Sequence, residues 1–121
     1  MKIIARCLIL LFVLMSFNVV AKTNSTAETR AKLITSWMED KLALNADQLP
    51  RIEVLNLKCE EEIDRLTNEK SGFPCMQAVR DSLLQKETEF RNILTLEQLK
   101  NYLKCKCELK EKLKRYFSYL H

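Results

Sequence analysis

Cys59, Cys75, Cys105 and Cys107 are the side chains best suited to chemistry in this 121-residue chain. Such thiols can pair as disulfides in an oxidising compartment, or serve as thiolates for a soft ion such as copper(I) or zinc. Cys105 and Cys107 flank Lys106, and positions two apart on a helix point roughly 200° away from each other. Each therefore faces a different neighbour, and a bond or shared ion between the two is disfavoured. That leaves Cys59 and Cys75 as disulfide partners for the last helix, in an order the spacing does not give. Buried thiols and bridges between chains are the other readings. A metal-responsive sensor or scavenger built on the four thiols is an alternative function, weakened by the absence of C-x-x-C spacing. The only histidine is the terminal His121, so no histidine-based triad or general base is expected. Glu60, Glu61, Glu62 and Asp64 splay around a helix axis and read as a solvated face rather than paired acids. No glycine-rich loop could cradle phosphate. The expectation is a protein that is not an enzyme and carries no cofactor.

The elements are announced by a phrase that occurs twice, Leu44-Asn45-Ala46-Asp47-Gln48-Leu49 and Leu94-Thr95-Leu96-Glu97-Gln98-Leu99. With Asn45 and Thr95 as helix N-caps, each side-chain oxygen accepts from the N–H three residues on. Gln48 and Gln98 reach back to the cap's own N–H, closing two capping boxes. Leu44 with Leu49, and Leu94 with Leu99, are spaced as hydrophobic staples. Asp47 and Glu97 place negative charge at the positive end of each helix dipole.

Residues 1–21 read as an export signal: Lys2 and Arg6 are followed by the apolar run from Cys7 to Met15 and by Val19-Val20-Ala21. Ser16 and Asn18 cut that run too short for a membrane anchor, so no stable insertion is expected after cleavage near Ala21. Residues 22–121 then suffice for one domain. Without Lys2 and Arg6, 18 basic residues face 16 acidic ones, too even a balance for a general nucleic-acid binder. The distribution is uneven: residues 46–70 carry a net −3 and residues 96–121 a net +4.

Apolar spacing predicts four helices and no strands. The first runs from about Thr29 to Leu42, with Trp37 in the core. The second follows the first phrase, with Leu49, Ile52, Leu55, Cys59, Ile63 and Leu66 on its stripe and Pro50 bending its first turn. Gly72 and Pro74 predict a loop over 71–74. A third helix follows from about Cys75 to Asn92, with Met76, Val79, Leu83, Phe90 and Ile93 on its apolar face. The fourth runs from Leu96 to near Tyr119. The architecture is all-α, helix, capping box, helix, twice over. Long, bent helices could bury their faces against a second copy instead of closing into a bundle. On the last helix Lys100, Lys104, Lys110, Lys114 and Arg115 alternate with Tyr102 and Phe117. That pattern suits either a solvated face or a surface that loosely holds an unfolded, acidic or amphipathic chain.

The paired leucine, threonine-or-asparagine, x, x, glutamine phrases in an exported helical chain resemble the LTxxQ family of periplasmic proteins, of the Spy and CpxP type. Leu94 to Gln98 fits the motif fully, and Asn45 replaces threonine in the other copy. Asp47-Gln48-Leu49-Pro50-Arg51-Ile52 and Leu55-Asn56-Leu57-Lys58 resemble versions from Bacteroidetes. The likeness spans roughly residues 30–118. It implies a cradle-shaped antiparallel homodimer whose concave face binds unfolded or misfolded envelope proteins without ATP under stress. It also implies that Leu44, Asn45, Gln48, Leu49, Leu94, Thr95, Gln98 and Leu99 hold the fold together. Some relatives restrain an envelope-stress sensor kinase, the remaining alternative. The four cysteines and the small net charge depart from the family pattern.

Overall fold

A computed structural model describes residues 26–118, apart from the side chains of Thr26, Phe117 and Ser118. The export signal expected over 1–21 lies outside the described residues. Four helices follow one another: α1 (Thr26–Leu42), α2 (Gln48–Glu69), α3 (Gly72–Phe90) and α4 (Leu96–Ser118), with no strand among the described residues. No described helix is long and apolar enough to cross a membrane.

The third helix begins three residues earlier than the sequence suggests. Gly72, at φ +66°, turns the corner out of α2 in a conformation that a side chain would disfavour. A Cβ there would meet nothing within 4 Å, so the glycine is needed for its backbone alone. Pro74 then falls in the first helical turn, where its missing N–H has no partner to lose. The two breakers mark a corner, not a loop. At the other end, α1 stops at Ala43, a non-glycine residue at φ +50°.

The core gathers Ile34, Trp37, Met38 and Leu42 of α1, Ile52 of α2, Phe90 and Leu94, and Tyr102 and Leu109 of α4. Burying each large apolar side chain contributes about 1.5–3 kcal/mol. The aromatic rings meet edge to face, Phe90 on Tyr102 at 5.3 Å between centroids and Trp37 on Tyr102 at 6.5 Å. That geometry sets the positive rim of one ring against the negative face of the next. Trp37 is thus a core residue, as its spacing predicts. Its indole N–H lies beside Glu108 without a well-aligned bond.

Two polar contacts fix how α1 lies along α2. Fully buried Asn56 donates to Thr35 Oγ1 at 3.0 Å. Arg30 binds Glu60 at 2.6 Å and Asp64 at 2.5 Å. Glu60 therefore departs from the solvated face expected for the acidic run: it is buried, and Arg30 neutralises it. Burial works against the Arg30 charge, yet the hydrogen bonds to Glu60 and Asp64 raise its pKa above the ordinary value.

Candidate docking surface

The two capping boxes form as the sequence dictates. Asn45 Oδ1 accepts from the N–H groups of Asp47 and Gln48, at 3.0 and 2.8 Å, and Gln48 Oε1 accepts from the Asn45 N–H at 3.1 Å. Thr95 Oγ1 accepts from the Gln98 N–H at 3.2 Å, and Gln98 Oε1 from the Thr95 N–H at 2.9 Å. The Leu49 and Leu99 amides already bond back to the Asn45 and Thr95 carbonyls, so both caps sit where the helical ladder begins. Leu94 is buried in the core, Leu44 and Leu99 pack against it, and Leu49 is half-buried.

The boxes also bind each other. Gln48 Nε2 donates to Gln98 Oε1 at 2.7 Å, and Gln98 Nε2 donates to Gln48 Oε1 at 3.0 Å. The remaining amide hydrogens go to the ends of the preceding segments, Gln48 to the Ile93 carbonyl at 3.0 Å and Gln98 to the Leu42 carbonyl at 3.1 Å. Every donor and acceptor site of both side-chain amides is used, which is what partly buried amides require. The clasp holds the α1–α2 and α3–α4 turns back to back at one end of the molecule.

Away from the clasp the helices do not close equally. α1 lies along α2, α3 packs on α2 and α4 on α1. α3 meets α4 through Phe90 on Tyr102 and through the Lys106–Glu87 ion pair at 3.0 Å. Below these contacts the N-terminal part of α3 exposes Phe73, Met76, Leu83 and Leu84, the first two at 73% and 71%. Met76, Leu83, Glu87 and Phe90 share one helical stripe by their spacing of seven, four and three residues. Two residues expected on a buried apolar face, Met76 and Leu83, thus stand in the open on the side of α3 that higher up touches α4. Leu103 of α4, three residues nearer the clasp than Lys106, is 43% exposed.

Lys100, Lys104, Lys110 and Lys114 of α4 are exposed and make no ion pair among the described residues. Arg115 is also exposed. Tyr102 corrects the expectation for this helix: at 4% exposure, wedged between Trp37 and Phe90, it is core and unavailable to a client. Burial, with Glu87 nearby, raises its phenol pKa well above the usual range. The Phe117 side chain lies outside the described residues.

Among the described residues Cys59, Cys75, Cys105 and Cys107 are free thiols, so the expected bridges between the halves are not formed. They divide between two seams. Cys59 faces Ser82 at 3.9 Å and Cys75 faces the Leu66 carbonyl at 3.8 Å, both between α2 and α3. Cys105 packs against the core on the side of Lys41, and Cys107 is exposed. The contrast between the last two follows from their two-residue spacing. Burial raises the Cys59 thiol pKa, and nearby Lys86 offsets part of that rise. Both line a groove of about 460 Å³ between α2 and α3, where the Lys86 ammonium sits 5.6 Å from the Phe90 ring centre. Among the described residues no three His, Cys, Asp or Glu side chains converge to hold a metal ion.

Sequence reasoning missed the exposed patch on α3. The signal was present in two charged residues, Glu87 and Lys106, at positions that would be apolar if α3 and α4 closed along their whole length. What these features define is an all-α protein fastened at one end, with an apolar and cationic surface towards the other. No family model, curated protein or solved structure matches the chain.

Proposed function

We propose that the chain is an exported, periplasmic, ATP-independent chaperone-like protein that holds unfolded or misfolded envelope proteins under stress, acting as a homodimer. The observation that carries this reading is the exposure of Phe73, Met76, Leu83 and Leu84 within twelve residues of α3, beside a helix with four lysines that make no ion pair among the described residues. Exposed apolar residues clustered in this way mark an interaction site. The apolar groups supply affinity, and the lysines attract clients and limit how firmly they are held. The likeness of the two capping phrases to the LTxxQ pattern supports the same reading, with Asn45, Gln48, Thr95 and Gln98 as fold residues.

The test is suppression of aggregation of a chemically unfolded client by the full chain. Stoichiometric protein is expected to suppress light scattering, and Phe73→Ser/Met76→Ser/Leu83→Ser to lose most of the effect while keeping its helical circular dichroism. No suppression by the unaltered protein would refute the proposal.

A further inference from the structure

The groove between α2 and α3 carries a charge that no neighbour answers. Two charged side chains are buried among the described residues, Glu60 and Lys86. Arg30 neutralises Glu60, whereas Lys86, 7% exposed, makes no ion pair or hydrogen bond among the described residues and has only the Phe90 ring beside its ammonium. A charge withdrawn from water without a partner is costly. Lys86 forms part of the groove wall, as does Ser82, whose hydroxyl meets only the Cys59 thiol at 3.9 Å. A thiol is a weak partner, so that hydroxyl is able to donate elsewhere. We propose that this groove binds a single-chain amphiphile whose head carries one negative charge, with the head on Lys86 and Ser82 and the alkyl chain running towards the clasp.

The direction of the chain follows from what adjoins the groove. A second groove of about 570 Å³ lies on its clasp side, and Leu55 and Glu89 line both. Pro50, Val54, Leu55 and Ile93 give the second groove an apolar wall, where Val54 stands 65% exposed. From Cys59 to Pro50 is nine residues, about 13 Å along α2. One end of this channel thus offers a cation and a hydroxyl, and the other an apolar surface. An amphiphile matches both ends, whereas a small inorganic anion matches only the first. The volumes are those of small-molecule sites. Glu62, also on the wall, is held by Arg65 of its own helix. Once a head neutralises Lys86, Lys58 is left against Asp81 and Glu89, a balance that opposes a second negative charge. None of Phe73, Met76, Leu83 and Leu84 lines either groove, so the site is separate from the surface proposed to hold clients.

Isothermal titration calorimetry of the full chain at neutral pH tests this, with decanoate below its micelle concentration as the probe. Decanoate is expected to bind about tenfold more tightly than decyltrimethylammonium, which has the same chain and the opposite charge. It should also bind about tenfold more tightly than octanoate, because each buried methylene is worth about fourfold in affinity. Lys86→Met keeps the buried stem and removes the ammonium, and should weaken decanoate about tenfold with unchanged helical circular dichroism. Val54→Glu, at an exposed position, should weaken it to a similar extent and keeps the test open if the first variant fails to fold. Lysophosphatidylglycerol with the same chain, also singly charged, separates a lipid source from a free fatty acid by which of the two binds more tightly. Binding of neither, equal affinity for the cationic amphiphile, or unaltered affinity in Val54→Glu would overturn the inference.

Discussion

Removing either glutamine of the clasp should reveal that the two capping boxes are one structural unit. The Gln48 and Gln98 side chains each take part in four hydrogen bonds, and the two bonds between them are common to both sets. At a net contribution of about 1 kcal/mol per bond, Gln48→Ala or Gln98→Ala alone is expected to cost about 4 kcal/mol. The double variant loses the shared bonds only once and should cost about 6 kcal/mol, leaving a coupling of about 2 kcal/mol. Urea unfolding of the four proteins, followed by circular dichroism at 222 nm, measures each cost from the midpoint and slope. Two independent caps would instead each cost about 1 kcal/mol and add. Additivity to within about 0.5 kcal/mol would therefore refute the clasp.

Alkaline pH should weaken the fold in two stages. A group held protonated in the fold, but free to ionise when unfolded, contributes its full stabilisation below its unfolded pKa and loses it as pH rises beyond. Burial places Cys59 and Tyr102 in this class, so stability should fall from about pH 8.5 and again from about pH 10. Tyr102→Phe keeps the ring between Trp37 and Phe90 and should abolish the second decline in urea midpoints measured from pH 7 to 11. At the other end of α1, Arg30→Met leaves the Glu60 carboxylate buried without its partner and should cost about 3 kcal/mol. Adding Glu60→Gln should return part of that loss, which urea unfolding of the single and double variants would show.

The helices and both turns were legible in the sequence because their determinants are local. A cap, a glutamine three residues on and two flanking leucines act within a single turn, and the structure reproduces each bond they predict. The pairing of Gln48 with Gln98 was not legible from the residues, since nothing within one phrase says that its glutamine has spare bonding capacity for a partner fifty residues away. Gly72 and Pro74 point to a loop because both disfavour a helix interior, yet both are tolerated in a first turn. Tyr102 and Leu103 show where periodicity runs out. They are adjacent, one is sealed in the core and the other open, and only the placement of α4 against both α1 and α3 decides which. Glu60 departs from its local pattern for the same reason, because its partner Arg30 lies thirty residues earlier on another helix.

The fastening of both turns at one point makes a pivot of the paired amides. Arg115 lies seventeen residues beyond Gln98, a lever of about 25 Å along α4. Swinging that arm by about 5° about the pivot would carry its tip about 2 Å, roughly half an atomic contact distance. A difference of a few degrees at two side-chain amides would thereby become a displacement of more than a bond length at the far end of the helix.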